Sequence, residues 1–430
     1  MYAYYCPLDH ILREVDLGML FELYEGEMIN FDLVNPSIGH IDDEIINKKY
    51  VSGEVRIVTE QARYPLDSIV PMLDSGKYKL TPEYQRRHRW DNDKKSKLIE
   101  SFIMNVPIPP VFLYETDYSF YEVMDGLQRL TAINEFYKGQ YSLSGLELWP
   151  ELNGRTYSSL PNKIRQGIDR RYVSSIILLQ ESARSPEEAL RMKQLVFERI
   201  NSGGVKLEPQ ETRNALHNGP MNVLCIKLSQ NIYLRRLFGI PYVNNTGDPA
   251  MDSEYSVSED SIDEKLDSHP LYRDMSDVEL VLRFFALRNI DGYAKRTFHN
   301  FLDAYLNSAN HFNNQVLEEL SALFNETIKF AFDLFGENAF KLVRKRKTQE
   351  GESWTWFNRS TTTIYDPLMQ ILSQLLVKKE KLIAQATTIR ERIELMYQEN
   401  YSIFEGRNNN KNNIEERYKV YQSFLSSYLD

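Results

Sequence analysis

The stretch Tyr121–Tyr137 (YEVMDGLQRLTAINEFY) combines residue types that bind anions with a pattern that predicts a strand followed by a helix. An apolar run ends at Asp125-Gly126, and apolar residues then recur at helical spacing, at Leu130, Ile133, Phe136 and Tyr137. Backbone N–H groups point outward at such a junction, and the positive end of the helix dipole attracts negative charge. The candidate binding residues here are Asp125, Gly126, Gln128 and Arg129. The alternative is a tight turn whose polar side chains are only solvated.

A basic segment, Tyr84–Trp90 (YQRRHRW), precedes this junction in the chain. It holds three arginines and a histidine between two aromatic residues, a composition suited to the phosphates of a nucleotide or of a nucleic-acid strand. Its candidate binding residues are Tyr84, Gln85 and Arg86. The alternative is a solvated basic loop with its two aromatic rings packed beneath it.

A glycine-rich corner within residues 197–217 (FERINSGGVKLEPQETRNALH) is the third candidate. A serine, a proline and a glutamate at 185, 186 and 188 predict the start of a helix that runs to Ile200. The residues after it can adopt positive φ, so the backbone there can approach a ligand closely. The candidates in this corner and in the short helix after it are Asn201, Gly203, Gly204, Arg213 and Asn214. An ordinary structural corner between two helices is the alternative.

The elements that must position these residues can be predicted from periodicity. Asp91 is the predicted N-cap of an amphipathic helix, whose apolar face holds Leu98, Ile99, Phe102 and Ile103. The segments VFLY (111–114) and YVSSIILL (172–179) predict strands of one sheet. Helical periodicity dominates the second half, over 277–287, 295–309, 315–335, 363–383, 385–402 and 414–428. A sheet domain followed by a helical domain is an α+β fold.

Length and composition limit the class of protein. A chain of 430 residues exceeds what one core usually fills, so we predict a 1–50 extension, a 51–220 sheet domain and a 221–430 helical domain. The net charge of −10 argues against broad adhesion to nucleic acid. The cysteines, Cys6 and Cys225, lack metal-ligand spacing, and we see neither an export signal nor an apolar run long enough to cross a bilayer. We therefore expect a cytoplasmic protein with no membrane partner.

Two charged segments stand out in the second half. Residues 244–269 hold eight acidic residues against one lysine, and we predict a mobile surface loop inside the helical domain. A shield over a basic DNA-binding face is the alternative. The run RKRK at 344–347, followed by Trp354 and Trp356, offers a nucleic-acid contact, with an exposed basic loop as the alternative.

Taken together and in order, the three candidate segments resemble the N-terminal domain of GmrSD-type restriction endonucleases, also known as domain-of-unknown-function family 262. The resemblance spans residues 53–220 and rests on YQRRHRW with LIESFIMNVPIPPVFLYE, then VMDGLQRLTAI, then FERINSGGVKLEPQETRNAL. DVELVLRFFAL (277–287) resembles the helical continuation of these proteins. The resemblance implies a small ParB/sulfiredoxin-like mixed sheet that binds a nucleoside triphosphate and Mg²⁺. It also implies a role in bacterial restriction or anti-phage defence, with an effector that is fused or on another chain.

The resemblance further implies roles for single residues. Its Asp-Gly-Gln-Gln-Arg motif falls on Asp125, Gly126, Leu127, Gln128 and Arg129. Arg86, Arg129 and the junction N–H groups would hold the phosphates, Asp125 would hold Mg²⁺ or orient a water, and Gln85 and Gln128 would complete the polar shell. Any catalysis would fall to Asp125, Gln128 and Arg129. Leu127 replaces the first glutamine, so binding is expected while NTPase activity stays open.

The distribution of histidines bears on the effector. The seven histidines lie at 10, 40, 88, 217, 269, 299 and 311, so the last 119 residues (430 − 311) hold none. An HNH nuclease needs a histidine to activate water, and we therefore predict no fused HNH domain of the usual kind. We interpret the chain as a nucleotide-binding sensor or regulatory subunit whose effector, such as a nuclease, is on another chain. A non-enzymatic ParB-like module that binds DNA is the alternative.

Overall fold

The computed structural model describes residues 23–29, 31, 44, 47, 58–80, 90–179, 186–201, 208–294, 296–348, 351–405 and 410–429. The candidates Tyr84, Gln85, Arg86, Gly203 and Gly204 lie outside the described residues, as does the side chain of Asn201.

Two compact units divide the chain. Residues 32–226 and 240–279 form the unit that we call the sheet unit. Residues 1–31, 227–239 and 280–430 form the other, which we call the helical unit. Residues 240–279 thus belong with the sheet, although they fall inside the helical domain predicted from the sequence. The predicted boundary after residue 220 stays a prediction.

A mixed five-stranded sheet organises the sheet unit, in the order β1-β5-β3-β4-β2. Its strands are β1 (Thr59–Pro65), β2 (Tyr78–Lys79), β3 (Val111–Asp117), β4 (Phe120–Asp125) and β5 (Tyr172–Leu178). β1 pairs antiparallel with β5, and β3 pairs antiparallel with β4, while the β3–β5 and β2–β4 pairs are parallel. The strands predicted at 111–114 and 172–179 therefore lie side by side, in register from Val111–Ser175 to Tyr114–Leu178.

Helices make up most of the rest of the described chain. In chain order they are α1 (Ile69–Asp74), α2 (Asn92–Ile103), α3 (Leu127–Tyr137), α4 (Asn162–Asp169), α5 (Pro186–Asn201), α6 (Pro209–Leu216), α7 (Pro220–Leu228), α8 (Ile232–Phe238), α9 (Ile262–Ser268), α10 (Pro270–Arg273), α11 (Ser276–Leu287), α12 (Phe298–Ala309), α13 (Asn314–Phe335), α14 (Thr362–Gln374), α15 (Lys379–Ile383), α16 (Ala386–Glu399), α17 (Tyr401–Phe404) and α18 (Lys411–Ser426). Asp91 caps α2 as predicted, because its Oδ1 accepts a hydrogen bond from Lys94 N at 2.7 Å. The α+β class is confirmed, and the ParB-like arrangement stays a prediction.

Helices cover both faces of the sheet. Successive residues of a strand point to opposite faces, and Val123 and Met124 of β4 do so. Val123 belongs to the larger core, which also contains Ile99 of α2 and Ile133 of α3. Met124 belongs to a smaller cluster with Phe197 of α5 and Leu216 of α6. The end of β4 therefore lies between two packed layers.

Gly126 makes the turn from β4 to α3. Its φ is +97°, a left-handed conformation that costs residues with a Cβ about 1–2 kcal/mol. A Cβ placed on it would also lie 2.5 Å from Val111 Cγ1. Glycine is required at this position for two independent reasons.

The helical unit is built around α13. This 22-residue helix packs against α8, α14 and α16, and its Phe324 contacts the rings of Phe284 and Phe285. Two buried ion pairs lie in the same unit: Arg283 with Asp366, and Arg288 with Glu27. Of the described helices, none combines the length and hydropathy that a bilayer-spanning helix needs.

Two predictions for the second half need correction. The RKRK run is not a loop but part of β6 (Val343–Thr348), which pairs antiparallel with β7 (Gly351–Trp356). The acidic segment 244–269 is not a plain loop either, since it contains α9 and two short 3₁₀ helices and buries Met251 and Leu266. Its predicted mobility stays a prediction. Neither segment shows the apolar periodicity that predicts a helix or a strand. Packing against other parts of the fold stabilises both, and a local pattern does not show such packing.

The N-terminal extension also holds a structural contact. Glu27 is fully buried, and its carboxylate accepts two hydrogen bonds from Arg288, from Nε at 2.6 Å and from Nη2 at 2.8 Å. Tyr24 N donates to the same carboxylate at 2.9 Å. This pairing across 261 residues fixes residues 24–27 on the helical unit.

Gly126→Ala should destabilise the sheet unit far more than Gly139→Ala. Gly139 also has a positive φ, of +69°, but no atom of the described residues lies within 4 Å of a Cβ placed there. Both variants carry the backbone cost, and only Gly126→Ala adds the clash with Val111, about 1–3 kcal/mol. Urea unfolding measures both free energies. Equal losses would contradict the packing described for the junction.

Glu27→Ala should lower the free energy of unfolding of the helical unit by about 3–5 kcal/mol, because it removes the carboxylate that pairs with buried Arg288. Asp291→Ala is the matched control. Asp291 pairs with Lys411 at 2.7 Å but is 86% exposed, so its loss should cost under about 1 kcal/mol. Thermal or urea unfolding of the two variants tests this, and a loss for Glu27→Ala no larger than the control would refute it.

Candidate functional site

The predicted junction is confirmed in its backbone form. β4 ends at Asp125, Gly126 turns the chain, and α3 begins at Leu127. Leu130 N donates to Gly126 O at 2.9 Å, which closes the first turn. Among the described residues, no side chain caps this helix start. The first N–H groups of α3 therefore lie beside Asp125 at the end of a central strand.

Arg129 ties the junction to the strand beside it. Its Nη2 donates to Asp125 Oδ2 at 2.6 Å, and its Nη1 donates to the carbonyl oxygens of Pro109 and Pro110. Only 13% of its side chain is exposed. Burial lowers the pKa of the guanidinium and the neighbouring Asp125 carboxylate opposes this shift, so Arg129 remains charged at neutral pH. The guanidinium joins the end of β4, the start of α3 and the residues that precede β3.

Asp125 is a partly exposed acidic group at this junction. Its side chain is 39% exposed while Arg129 holds one carboxylate oxygen. Within the described residues, no group of three or more histidine, cysteine, aspartate or glutamate side chains could hold a metal ion. One carboxylate is nevertheless enough for Mg²⁺ when phosphate oxygens and waters supply the other ligands. The donor set thus fits a magnesium–nucleotide complex better than a metal bound by protein alone.

Gln128 of the junction forms a hydrogen bond with the last residue of the basic segment Tyr84–Trp90. Its Oε1 accepts a hydrogen bond from Trp90 N at 3.2 Å, across 38 residues. Trp90 is the last residue of the YQRRHRW segment and packs against the larger core. The last residue of the basic segment therefore lies beside the start of α3.

The helices that flank the third candidate corner pack beside the junction. Phe197 of α5 and Leu216 of α6 share a cluster with Met124, the residue before Asp125. Lys193 of α5 also pairs with Glu122 of β4 at 2.8 Å. Both helices that bound the glycine corner are thus fixed to the strand that carries Asp125.

Arg213 and Asn214 have a structural role in the described part of the chain. Both side chains are buried, with exposures of 2% and 0%. Arg213 Nη1 donates to Glu279 Oε2 at 2.7 Å, and Asn214 Nδ2 contacts Met275 Sδ at 2.7 Å. Gln210 Nε2 donates to Asn214 Oδ1 at 3.0 Å. These contacts join α6 to the start of α11, and they favour the structural alternative over nucleotide binding for this pair.

Leu127 faces the interior of the sheet unit. It is 7% exposed and belongs to the larger core. The next residue, Gln128, points instead to Trp90. The departure from the expected glutamine therefore falls on a core position, where it adds apolar packing.

Several residues of the site could not be found from the sequence. The carbonyl oxygens of Pro109 and Pro110 accept from Arg129, and Lys193 pairs with Glu122. Prolines signal a helix end, as predicted, but carry no information on what their carbonyls accept. The Lys193–Glu122 pair lies 71 residues apart, beyond any local pattern.

Comparison with known protein families gives a match to part of the chain. Residues 69–218 match the family model described as the GmrSD restriction endonuclease, N-terminal domain. No curated protein matches the chain, and no solved structure matches it. The matched range runs from α1 to the residue after the C-cap of α6, so it contains the junction, its arginine contacts and both helices of the third corner. Residues 69–218 are thus similar to the N-terminal domain of the GmrSD restriction endonuclease, the family whose resemblance the sequence predicted.

Proposed function

We propose that this chain is a nucleotide-binding regulatory component of a restriction or anti-phage system, with its triphosphate site at the β4–α3 junction. The observation that carries the proposal is the hydrogen bond from Trp90 N to Gln128 Oε1. It joins the end of a basic, aromatic segment to a helix start beside a partly exposed carboxylate. Phosphate groups bind where N–H donors and positive charge meet, and the helix start supplies the N–H donors while the composition of the basic segment supports the proposal.

We assign binding roles to the described residues of the junction. The N–H groups at the start of α3 face the phosphates, and Gln128 holds the end of the basic segment beside them. Arg129 positions Asp125, because its guanidinium is already bonded to that carboxylate and to two carbonyl oxygens. Arg129 therefore acts on the ligand through Asp125 and adds charge at short range. Arg86 and Gln85 are proposed as further phosphate contacts and lie outside the described residues.

Magnesium belongs to this proposal as part of the ligand. Asp125 would hold it, and the ion would neutralise phosphate charge when bound. The Asp125 side chain is 39% exposed and stands two residues before the first residue of α3, which supports this role. The proposed partner of this chain is an effector, such as a nuclease domain or a nuclease protein.

A triphosphate with Mg²⁺ should stabilise the folded chain. A ligand at 100 times its dissociation constant adds about 2.7 kcal/mol to the stability of the state that binds it. Thermal melting of the full chain with each ribonucleoside triphosphate, with and without Mg²⁺, measures this. In Asp125→Asn the amide oxygen still accepts from Arg129 while the charge is lost, so the magnesium-dependent part of the shift should disappear.

Asp74→Asn is the matched control for this experiment. Asp74 is an exposed aspartate of the same unit that pairs with Lys138 at 2.8 Å. Its substitution should leave the nucleotide-dependent shift unchanged. Absence of any shift with wild-type protein would refute the nucleotide proposal. If Asp125→Asn leaves the shift intact, the nucleotide binds elsewhere on the chain. That result would refute the proposed site but not nucleotide binding.

Leu127→Gln tests whether the missing glutamine limits hydrolysis. Because Leu127 is a core residue, the substitution should lower the free energy of unfolding by about 2–3 kcal/mol and leave phosphate release unchanged. Urea unfolding and a phosphate-release assay on the same preparation measure both. A gain in phosphate release without loss of stability would show that position 127 faces the ligand.

A further inference from the structure

The β6–β7 hairpin presents a basic ribbon on the helical unit. Trp354 packs edge-to-face against Tyr401 of α17, with ring centroids 5.2 Å apart, and Trp356 packs in the same way against Tyr397 of α16, at 6.1 Å. An isolated two-stranded hairpin is only marginally stable in water. These aromatic contacts attach the ribbon to the helices.

The register of the hairpin sorts its cations by face. Residues directly opposite in an antiparallel pair share a face, so Lys345 lies on the face of its partner Trp354. Arg344 and Arg346 alternate with it and lie on the other face, opposite Thr355 and Ser353. Arg346 is exposed, and Arg344 is half-buried with its guanidinium 3.8 Å from the centre of the Phe357 ring. Two arginines thus share the face opposite the two tryptophans.

The hairpin and its flanking residues carry a positive net charge, whereas the whole chain is negative. Residues 341–360 hold six lysines and arginines against two glutamates, a net of +4, so the other residues together carry −14 (−10 − 4). Neighbouring cations on one face of a strand repel each other, and Arg344 and Arg346 are neighbours of this kind. An anion that binds across both arginines relieves that repulsion.

We infer that the β6–β7 hairpin binds the phosphate backbone of duplex DNA through Arg344 and Arg346. A two-stranded ribbon is one of the elements that the major groove of B-form DNA admits. Arginine forks bind phosphate oxygens in pairs, and such contacts position a protein on DNA without reading its sequence. This surface lies outside the matched N-terminal domain, so the inference is independent of the nucleotide site.

The positions of the aromatic rings favour a duplex over a single-stranded partner. Proteins that bind single strands stack bases on exposed aromatic rings. Trp354 and Trp356 instead pack on tyrosines, on the face opposite the arginines. The major groove of duplex RNA is too narrow for side chains to enter. Duplex DNA is therefore the partner that fits a ribbon with arginines on its free face.

Fluorescence anisotropy of the full chain with a labelled duplex of about 25 base pairs, across a salt series, tests the inference. Each phosphate contact contributes about 0.9 to the slope of log K against log salt. Arg344→Gln with Arg346→Gln should make this slope shallower by about 1.8 and weaken binding at 0.1 M salt by roughly tenfold per contact. Arg346→Lys alone should retain most of the affinity, because the charge remains.

Lys378→Gln with Arg392→Gln is the matched control, since it removes the same charge from exposed positions elsewhere on the helical unit. Melting curves of all variants check that each is folded. The inference is overturned if wild-type protein binds no duplex at 0.05 M salt, or if the hairpin and control variants weaken binding equally. Equal or tighter binding of single-stranded DNA or duplex RNA would overturn the assignment to duplex DNA. If the double variant is unfolded, Arg346→Gln alone should still make the slope shallower by about 0.9, and an unchanged slope would overturn the inference.

Discussion

The guanidinium of Arg129 is the contact on which the candidate site depends. It reaches a carboxylate at the end of β4 and two carbonyl oxygens just before β3, from the first turn of α3. A lysine in its place would present one point of charge, whereas the planar fork of arginine can satisfy separated acceptors at once. The position of Asp125 relative to the helix start follows from this contact and from the glycine turn between them. The chemistry of the site therefore rests on backbone geometry that one side chain holds.

Much of the sheet unit follows from local patterns in the sequence. The apolar run before Asp125 and the helical spacing after it predicted the junction, and a β-branched run predicted β5. The aspartate at 91 predicted the start of α2, because capping is a local hydrogen bond between neighbours in the chain. The family was recognisable because three such segments recur in one order, and the match over residues 69–218 confirms it.

Patterns could not supply contacts that form between distant parts of the chain. Arg213 and Asn214 lie on one helix face, as their spacing predicts, but the sequence does not say that Met275 and Glu279 cover that face. The β6–β7 hairpin has no alternation of apolar and polar residues in its first strand, since aromatic packing on α16 and α17 stabilises it instead. The buried pair between Glu27 and Arg288 joins segments 261 residues apart. In each case tertiary packing determines the structure, and local sequence patterns do not indicate the contacts that it makes.

Burial of Arg129 also determines how the junction responds to ionic strength. Mobile ions screen charges that they can approach, and the Debye length falls from about 10 Å at 0.1 M salt to about 3 Å at 1 M. The Arg129 side chain is mostly shielded from solvent, so its pairing with Asp125 persists in concentrated salt. An exposed arginine such as Arg346 loses its attraction for a polyanion under the same conditions. Salt concentration is thus a variable that acts on the two units separately: a high-salt wash would remove nucleic acid bound at the hairpin as proposed, and it would leave the geometry of the junction intact.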